Sequence, residues 1–444
     1  MPLRPWERPG TAPVEGEIYL STDVLQSPDE LSHVATPSGG HLRGGARVDS
    51  DPKRSGSHGW GSLGSPAVKP RVLVLRGHQV NPWELGPWEE LGEQFDVRYL
   101  ATRSGWFDAT ALSLPAVQAP ALRDLLPPGR IGDMAVRIPG DRYLRLADRL
   151  DGASIVHAQE LGYWYSMQAA RLKARLGFKL VLTVWETLPL LGAYRNVRTR
   201  RYRRIVLSKA DLFLAASERA RQALILEGAS AEKVVVSPPG IRTDSFRGVA
   251  GKPAPDAPPI ILSPGRLVWE KGHQDVLRAV AALRRGLGGH TSVPSPRVLI
   301  VGAGPHERTL RRHAEELGIG DLTEFRSFVP HSEMPALFAS ASCVVLASLA
   351  KWYWEEQFGM VLAEALASGT PICAAGSGAI PEVLHGQGDL FTPGDWLGLA
   401  NLLASGPLSR PPGTRAEYDP ELVRRYSNTS AAARLAEAYD AVLA

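Results

Sequence analysis

From Arg71 onward, short apolar runs alternate with stretches whose apolar positions recur every three or four residues. The runs RVLVL (71–75), SIVHA (154–158), KLVLTV (179–184), DLFLAA (211–216) and KVVVS (233–237) are continuous rather than alternating. That marks strands buried on both faces, as in a parallel sheet covered by helices. Between several of them, Trp164 to Leu176 and Tyr194 to Leu207 carry helical spacing. A second series follows in PIILS (259–263), RVLIV (297–301), EFRSF (324–328), CVVLA (343–347) and PICAA (371–375), with helices beginning near Gly272, His306, Glu333 and Phe358. Pro, Gly and Ala crowd the stretch between the two series, which reads as a linker over 245–258. The pattern predicts two doubly wound α/β domains, 70–244 and 259–420, with a ligand crevice beyond the carboxyl ends of their strands. The remaining 421–444 reads as a helix able to cross back onto the first domain.

Composition trims this picture at one end. Of the first 69 residues, 18 are Gly or Pro and few are apolar in periodic order, so 1–69 is expected to be a poorly ordered extension without a core. It contains Asp49-Ser50-Asp51, a pattern that holds a metal and a diphosphate in some transferases; in a polar, glycine-rich tail it is read as chance. At 444 residues, 44% hydrophobic and 22% charged, the chain is no disulfide scaffold or coiled coil. Its two cysteines, Cys343 and Cys373, lack partners at metal-ligand spacing and read as buried thiols in a reducing compartment. There is no run of about 18 apolar residues, and MPLRPWERPG lacks the apolar core of a signal peptide. A soluble, cytoplasmic protein is expected. A net charge of +4 is too small to call for nucleic acid.

Two segments of the second domain carry candidate chemistry. In WEEQFGMVLAEALASGTPI (354–372), a helix starting near Phe358 and Gly359 would leave Glu356 in the entering loop and Glu364 two turns inside. The first-turn amides, around Gly359, Met360 and Val361, would favour an anion between the two carboxylates. The plainer reading is acidic residues easing a helix dipole. In SPGRLVWEKGHQDVLRAV (263–280), Arg266 and Lys271 stand in a loop beyond a strand end, where two cations could neutralise a diphosphate. Alone, that segment is equally a solvated turn paired with Glu270. Both segments fall on strand-to-helix turns of one domain, which weighs against coincidence.

GRLVWEKG, VGAGP, the Glu356-x7-Glu364 spacing with FGMVLAEALASGTPI, and GSGAIPEVL (376–384) resemble the donor-binding domain of retaining glycosyltransferases of family 4. The resemblance covers Arg71 to the C-terminus and implies the GT-B fold, two Rossmann-like domains facing across a crevice. It implies that Arg266 and Lys271 bind the diphosphate of a nucleotide sugar, that Glu356 contacts the transferred sugar and that Glu364 holds the ribose hydroxyls. Phe358, Gly359, Met360 and Val361 would cradle phosphate, Gly302 and Gly304 would line the nucleotide side, and Val329 would sit by the base. A nucleotide sugar is then a co-substrate, and neither a cofactor nor a metal is called for. The reaction in the family is viewed as front-face transfer with retention, through an oxocarbenium-like state.

The first domain departs from the family. RGHQVNPWELGPWEEL (76–91) has Gly77, Gly86, Trp83 and Trp88 where a glycine-rich turn is usual. In VHAQE (156–160), His157 matches the first position of a His-x-His, but Gln159 replaces the second and cannot carry a proton. In TVWETLP (183–189), Trp185 stands where His is common. His157, Gln159, Glu160, Trp185 and Glu186 are candidates for the sugar or acceptor pocket, with a plain strand-end histidine as the alternative for His157. YRNVRTRRYRRIVLSK (194–209) carries Arg195, Arg198, Arg200, Arg201, Arg203, Arg204 and Lys209. It is either a solvated helix face or a peripheral contact with an anionic membrane. The acceptor is not legible. A non-catalytic nucleotide-sugar-binding protein and a GT-B epimerase stay open as alternatives.

Overall fold

The computed structural model describes residues 68–444 apart from 106–108, 111, 128–129, 138–139, 192–195, 250–252, 254–255, 290–294 and 328. The expected extension, with Asp49 and Asp51, lies outside the described residues except for Val68 and Lys69. Arg195, Phe328 and part of the expected linker lie outside them too.

Seven strands, β1 (Arg71–Leu75), β2 (Asp96–Ala101), β3 (Ala116–Gln118), β4 (Ile155–Gln159), β5 (Lys179–Val184), β6 (Leu212–Ala215) and β7 (Val234–Val236), pair in the order β3-β2-β1-β4-β5-β6-β7. Six more, β8 (Ile260–Pro264), β9 (Arg297–Val301), β10 (Thr323–Arg326), β11 (Cys343–Leu346), β12 (Ile372–Ala375) and β13 (Asp389–Phe391), pair as β10-β9-β8-β11-β12-β13. Every strand pairing in both sheets is parallel. The two doubly wound sheets expected from the continuous apolar runs are borne out. The central runs are buried along their length, including Val72 to Leu75 and Cys343 to Leu346. β2, β3 and β13, which the apolar runs do not announce, lie toward the sheet edges. Asp96 and Arg98 of β2 form an ion pair with each other at 3.0 Å, and β3 and β13 are only three residues long. A half-solvated or very short strand leaves no continuous apolar signature.

In each sheet the strand order reverses once, between β1 and β4 and between β8 and β11. Diverging crossovers leave a gap at such a point, and ligands settle there in open parallel sheets. The chain joins the second core earlier than its composition suggests. Phe246, within the stretch read as linker, is buried against Phe338 with ring centroids 5.4 Å apart.

The C-terminal helix Asn428–Leu443 packs on the first sheet, where Leu435, Ala438 and Tyr439 join Val72, Val74 and Val181 in one cluster. At its centre is a chain of hydrogen bonds. Trp88 Nε1 donates to the Tyr439 hydroxyl at 2.8 Å, which lies 2.6 Å from His157 Nδ1, and His157 Nε2 lies 2.8 Å from Thr183 Oγ1. Burial, helped by the Arg76 charge, pushes the His157 pKa well below its usual value, so the ring is neutral. Each group is then used once: the tyrosine accepts from the indole and donates to Nδ1, and Nε2–H donates to the threonine. Replacing Tyr439 by Phe leaves two buried polar groups unmatched. It should lower unfolding free energy by about 1–3 kcal/mol in urea titrations. An unchanged urea midpoint would show that the network contributes nothing.

Candidate active site

The strand-end loops of the second sheet are pressed together, backbone on backbone. A Cβ on Gly302 would lie 2.0 Å from the Gly265 carbonyl oxygen, and one on Gly304 would lie 2.5 Å from that of Leu267. The amides of Gly265 and Leu267 donate to Val301 and Ala303 at 2.9 Å each. Gly302 and Gly304 therefore shape the loop that carries Arg266. His273 holds the same loop from beneath. Burial lowers its pKa to about 4, so Nε2–H donates to the Arg266 carbonyl at 3.1 Å and Nδ1 accepts from the Ser263 hydroxyl at 2.8 Å. The half-buried Arg266 guanidinium has no hydrogen-bond or ion-pair partner among the described residues.

Lys271 and Glu356 meet across the β8–β11 gap. Lys271 Nζ lies 2.8 Å from Glu356 Oε2, which also accepts from the Ser348 hydroxyl at 2.6 Å, and the ammonium stands 5.1 Å from the centre of the Trp354 ring. Glu356 is buried, and its backbone carbonyl accepts from the Ala379 amide at 2.9 Å. A Cβ on Gly378 would lie 2.1 Å from that carbonyl oxygen, so GSGAIPEVL fixes the carboxylate from behind. Just beyond, Gly359 adopts φ +81° and starts the helix Met360–Ser368, with no side chain capping its first turn. Uncapped amides at a helix start favour an anion. Phe358 is buried, with its ring 5.3 Å from Tyr426 and 6.2 Å from Trp185 of the first domain. Met360, Val361 and Val329 are half-buried against the same core.

Glu364, buried inside the helix, accepts from His331 Nε2 at 2.9 Å. Trp83 of the first domain stacks on His331 with centroids 5.6 Å apart and planes 11° from parallel. The sequence gives no sign of the Trp83–His331 contact, because the two residues come from opposite domains. Glu355 was also missed. Buried beside Glu356, it takes a two-pronged contact from Arg219, with Nη2 to Oε2 at 2.8 Å. Glu382 accepts the amides of Glu218 and Arg219 at 2.6 and 3.2 Å, so the second domain supplies a carboxylate to a helix start of the first.

On the first domain, Glu160 and Glu186 follow β4 and β5. Glu160, at φ +58°, accepts from the Trp185 amide at 2.7 Å. Glu186 accepts from the amides of Thr187 and Leu188 at 2.9 Å. Burial, reinforced by the Glu186 charge, raises the Glu160 pKa to about 8. Burial, reinforced by Glu227 and Glu355, raises that of Glu186 to about 7. Gln159 is half-buried, and its carbonyl accepts from Ser166 at 2.6 Å. The structure withdraws His157 from the pocket: it is fully buried and both ring nitrogens are bonded within the core. Among the described residues, no three His, Cys, Asp or Glu side chains gather as metal ligands. Both cysteines are free and buried.

Two facing doubly wound domains with the predicted donor residues beside one crevice define the GT-B class. Residues 249–406 match the family described as glycosyl transferases group 1, and 85–240 match the glycosyl transferase 4-like domain. The chain is a GT-B-fold protein related to these glycosyltransferase families. It is 34% identical over 165 residues to the GDP-mannose-dependent alpha-(1-6)-phosphatidylinositol monomannoside mannosyltransferase of Mycolicibacterium smegmatis, covering 34% of this chain and 40% of that one. It is 33% identical over 190 residues to the D-inositol 3-phosphate glycosyltransferase of Streptomyces avermitilis, covering 40% and 39%. The chain thus spans about two fifths of the curated relatives it matches. Among solved structures, Anabaena HepE in complex with UDP and glucose superposes with a TM-score of 0.63 at 19% identity, over 84% of this chain and 100% of that one. That likeness establishes the shared fold.

The raised carboxyls make stability pH-dependent. The unperturbed pKa is 4.5 and the Glu160 value about 8, so between these the folded protein binds more protons than the unfolded chain. Stability therefore falls as pH rises through that window. Glu160→Gln, which can still accept the Trp185 amide, should lessen the fall in urea midpoint between pH 5 and pH 8. Identical pH profiles for the variant and wild type would remove this assignment.

Proposed function

We propose that the chain is a retaining, metal-independent glycosyltransferase that moves a sugar from a nucleotide-sugar donor to an acceptor hydroxyl. The observation that carries the reading is an unpartnered Arg266 beside the Lys271–Glu356 pair and an uncapped helix start. On donor binding, Lys271 would exchange Glu356 for a diphosphate oxygen, freeing that carboxylate to accept from a hydroxyl of the sugar. The bond from the anomeric carbon to phosphate breaks, its electron pair leaves on the diphosphate, and the acceptor oxygen adds to the same face. The acceptor proton passes to the leaving phosphate. Arg266, Lys271 and the amides at Gly359, Met360 and Val361 stabilise the developing charge, so electrostatics supply most of the acceleration. Glu364, released from His331, would hold the ribose hydroxyls beside Val329. Gln159, Glu160, Trp185 and Glu186 would shape the acceptor side. Relatives named for GDP-mannose and a structure holding UDP and glucose support a nucleotide-sugar donor without fixing its base.

The membrane reading has its own support. Arg201, Arg204 and Lys209 on the helix Val197–Lys209 are exposed. Ile131 and Met134 on the helix Arg130–Arg137 present apolar side chains to solvent. Basic and apolar groups together suit a peripheral contact with an anionic leaflet, which would put the protein at the inner face of a cytoplasmic membrane. Among the described residues no helix is long and apolar enough to cross one.

UDP-, GDP- and ADP-sugars tested by thermal shift should include one that raises the melting temperature. Arg266→Ala should weaken binding of that donor about tenfold or more and lower turnover with it. Arg266 has no side-chain partner to lose, so its removal tests binding rather than folding. Lys271→Ala should behave alike. Near-normal donor affinity and turnover in both variants would overturn the assignment.

A further inference from the structure

A second concave surface lies on the first domain, between the helices Trp164–Leu176 and Val197–Lys209 and the loop at residues 140–143. It is a groove of about 580 Å³, lined in part by Arg142, Arg171, Arg198 and Arg201. Like charges converging on one hollow repel one another unless something neutralises them. Asp141, the carboxylate lining the groove among the described residues, does not do so. Its Oδ2 lies 2.5 Å from His78 Nε2, and its Oδ1 accepts the amides of Arg142 and Arg123 at 2.7 and 3.2 Å. The side chains of Arg142, Arg171 and Arg201 are exposed and have no ion-pair or hydrogen-bond partner among the described residues.

The walls are tied together. Gln168 accepts the Tyr143 amide at 2.8 Å and donates to the Tyr143 carbonyl at 3.2 Å, locking the loop to one helix. Gly140, at φ +81°, fits against the other, where a Cβ would stand 3.0 Å from the Tyr202 hydroxyl and 3.4 Å from Arg198 Cδ. The basic stretch is therefore not one uniform solvated face. Arg203 turns inward to pair with Glu227, Arg198 and Arg201 turn to the groove, and Arg204 and Lys209 face solvent outside it.

We infer that this groove is a phosphate-binding site, distinct from the donor site, that takes a phosphate-bearing group through the forked guanidinium groups of Arg142, Arg171 and Arg201. Guanidinium meets phosphate in planar, two-pronged geometry, and several arginines on one hollow select for charge density over shape. The phosphate is carried by a free phosphorylated molecule or by a lipid headgroup. Only in the second case does the inference rest on the membrane contact proposed above.

The test uses the full chain with Arg266→Gln and Lys271→Gln as background, so that the donor site does not bind the probe. Pyrophosphate is titrated calorimetrically, and vesicles of phosphatidylcholine with and without phosphatidylglycerol are followed by co-sedimentation. A groove variant (Arg142→Gln, Arg171→Gln, Arg201→Gln) is compared with a variant of equal charge loss outside both the groove and the proposed membrane contact (Arg149→Gln, Arg175→Gln, Arg410→Gln). The groove variant should lose about tenfold in pyrophosphate or phosphatidylglycerol affinity, and the outside variant much less. Loss for pyrophosphate alone supports a free ligand and sets the membrane contact aside. Loss for phosphatidylglycerol vesicles supports a headgroup. Equal losses in the two variants would overturn the groove in favour of diffuse attraction while leaving a membrane contact standing. No binding of either probe by the background protein would overturn both.

Discussion

Everything proposed for the crevice depends on how closely the strand-end loops of the second sheet approach one another. Peptide groups of four loops meet where a methyl group would not fit, at Gly302 against Gly265 and at Gly378 against Glu356. A loop this confined has few conformations to lose on binding, so the charges it carries are preorganised. Arg266 sits on the first contact and Glu356 on the second, and the backbone of each is positioned by uncharged neighbours. The neutral His273 beneath Arg266 adds a polar tie that does not compete for the ligand.

Contact between the domains is polar and aromatic rather than broadly apolar. Arg219–Glu355, Glu382 at the start of helix Glu218–Leu226, Trp185 against Phe358 and Trp83 on His331 each join one side chain or helix end to one partner. Such contacts have direction and separate more readily than a continuous hydrophobic face. Two of them end beside the proposed donor residues: Glu355 adjoins Glu356, and His331 donates to Glu364. The helix Asn428–Leu443 is a different kind of connection. It buries apolar residues on the first sheet, so the chain returns to the domain it left, and the crevice is spanned both by the linker and by this return.

Much of the fold was legible because strands buried on both faces write themselves as unbroken apolar runs. Strand β2, next to the edge, did not, since Asp96 and Arg98 interrupt it. The second-domain site was legible to the extent that its residues are close in sequence: Arg266 with Lys271, and Glu356 with Glu364. Roles fixed by distant partners were hidden. His157 looked like a crevice residue until Tyr439 of the last helix claimed it. Gly302 and Gly304 looked like ligand-lining glycines, whereas their tightest constraint is the neighbouring loop. The basic helix gave its charge but not its division, because the partner of Arg203 is Glu227, on a later element.

The crevice also poses an electrostatic problem that its own residues resolve. The proposed nucleotide sugar would bring a diphosphate toward Glu160, Glu186, Glu355, Glu356 and Glu364, and five full negative charges would repel it. Two of these carboxylates pair with the cations Arg219 and Lys271, and Glu364 accepts a hydrogen bond from His331. The other two are raised by burial to about 8 and about 7, so near neutral pH Glu160 is mostly protonated and Glu186 is in part. Burial thereby reduces the negative charge at the ends of β4 and β5, while Arg266 has no partner among the described residues of the second domain. If a diphosphate draws Lys271 away, Glu356 keeps the Ser348 hydroxyl at 2.6 Å. A buried carboxylate stripped of its cation and of every hydrogen bond would be costly; one that retains a donor can turn its free oxygen to a sugar hydroxyl. In the proposed function the Lys271–Glu356 pair would therefore separate at small cost, because Ser348 stays with the carboxylate.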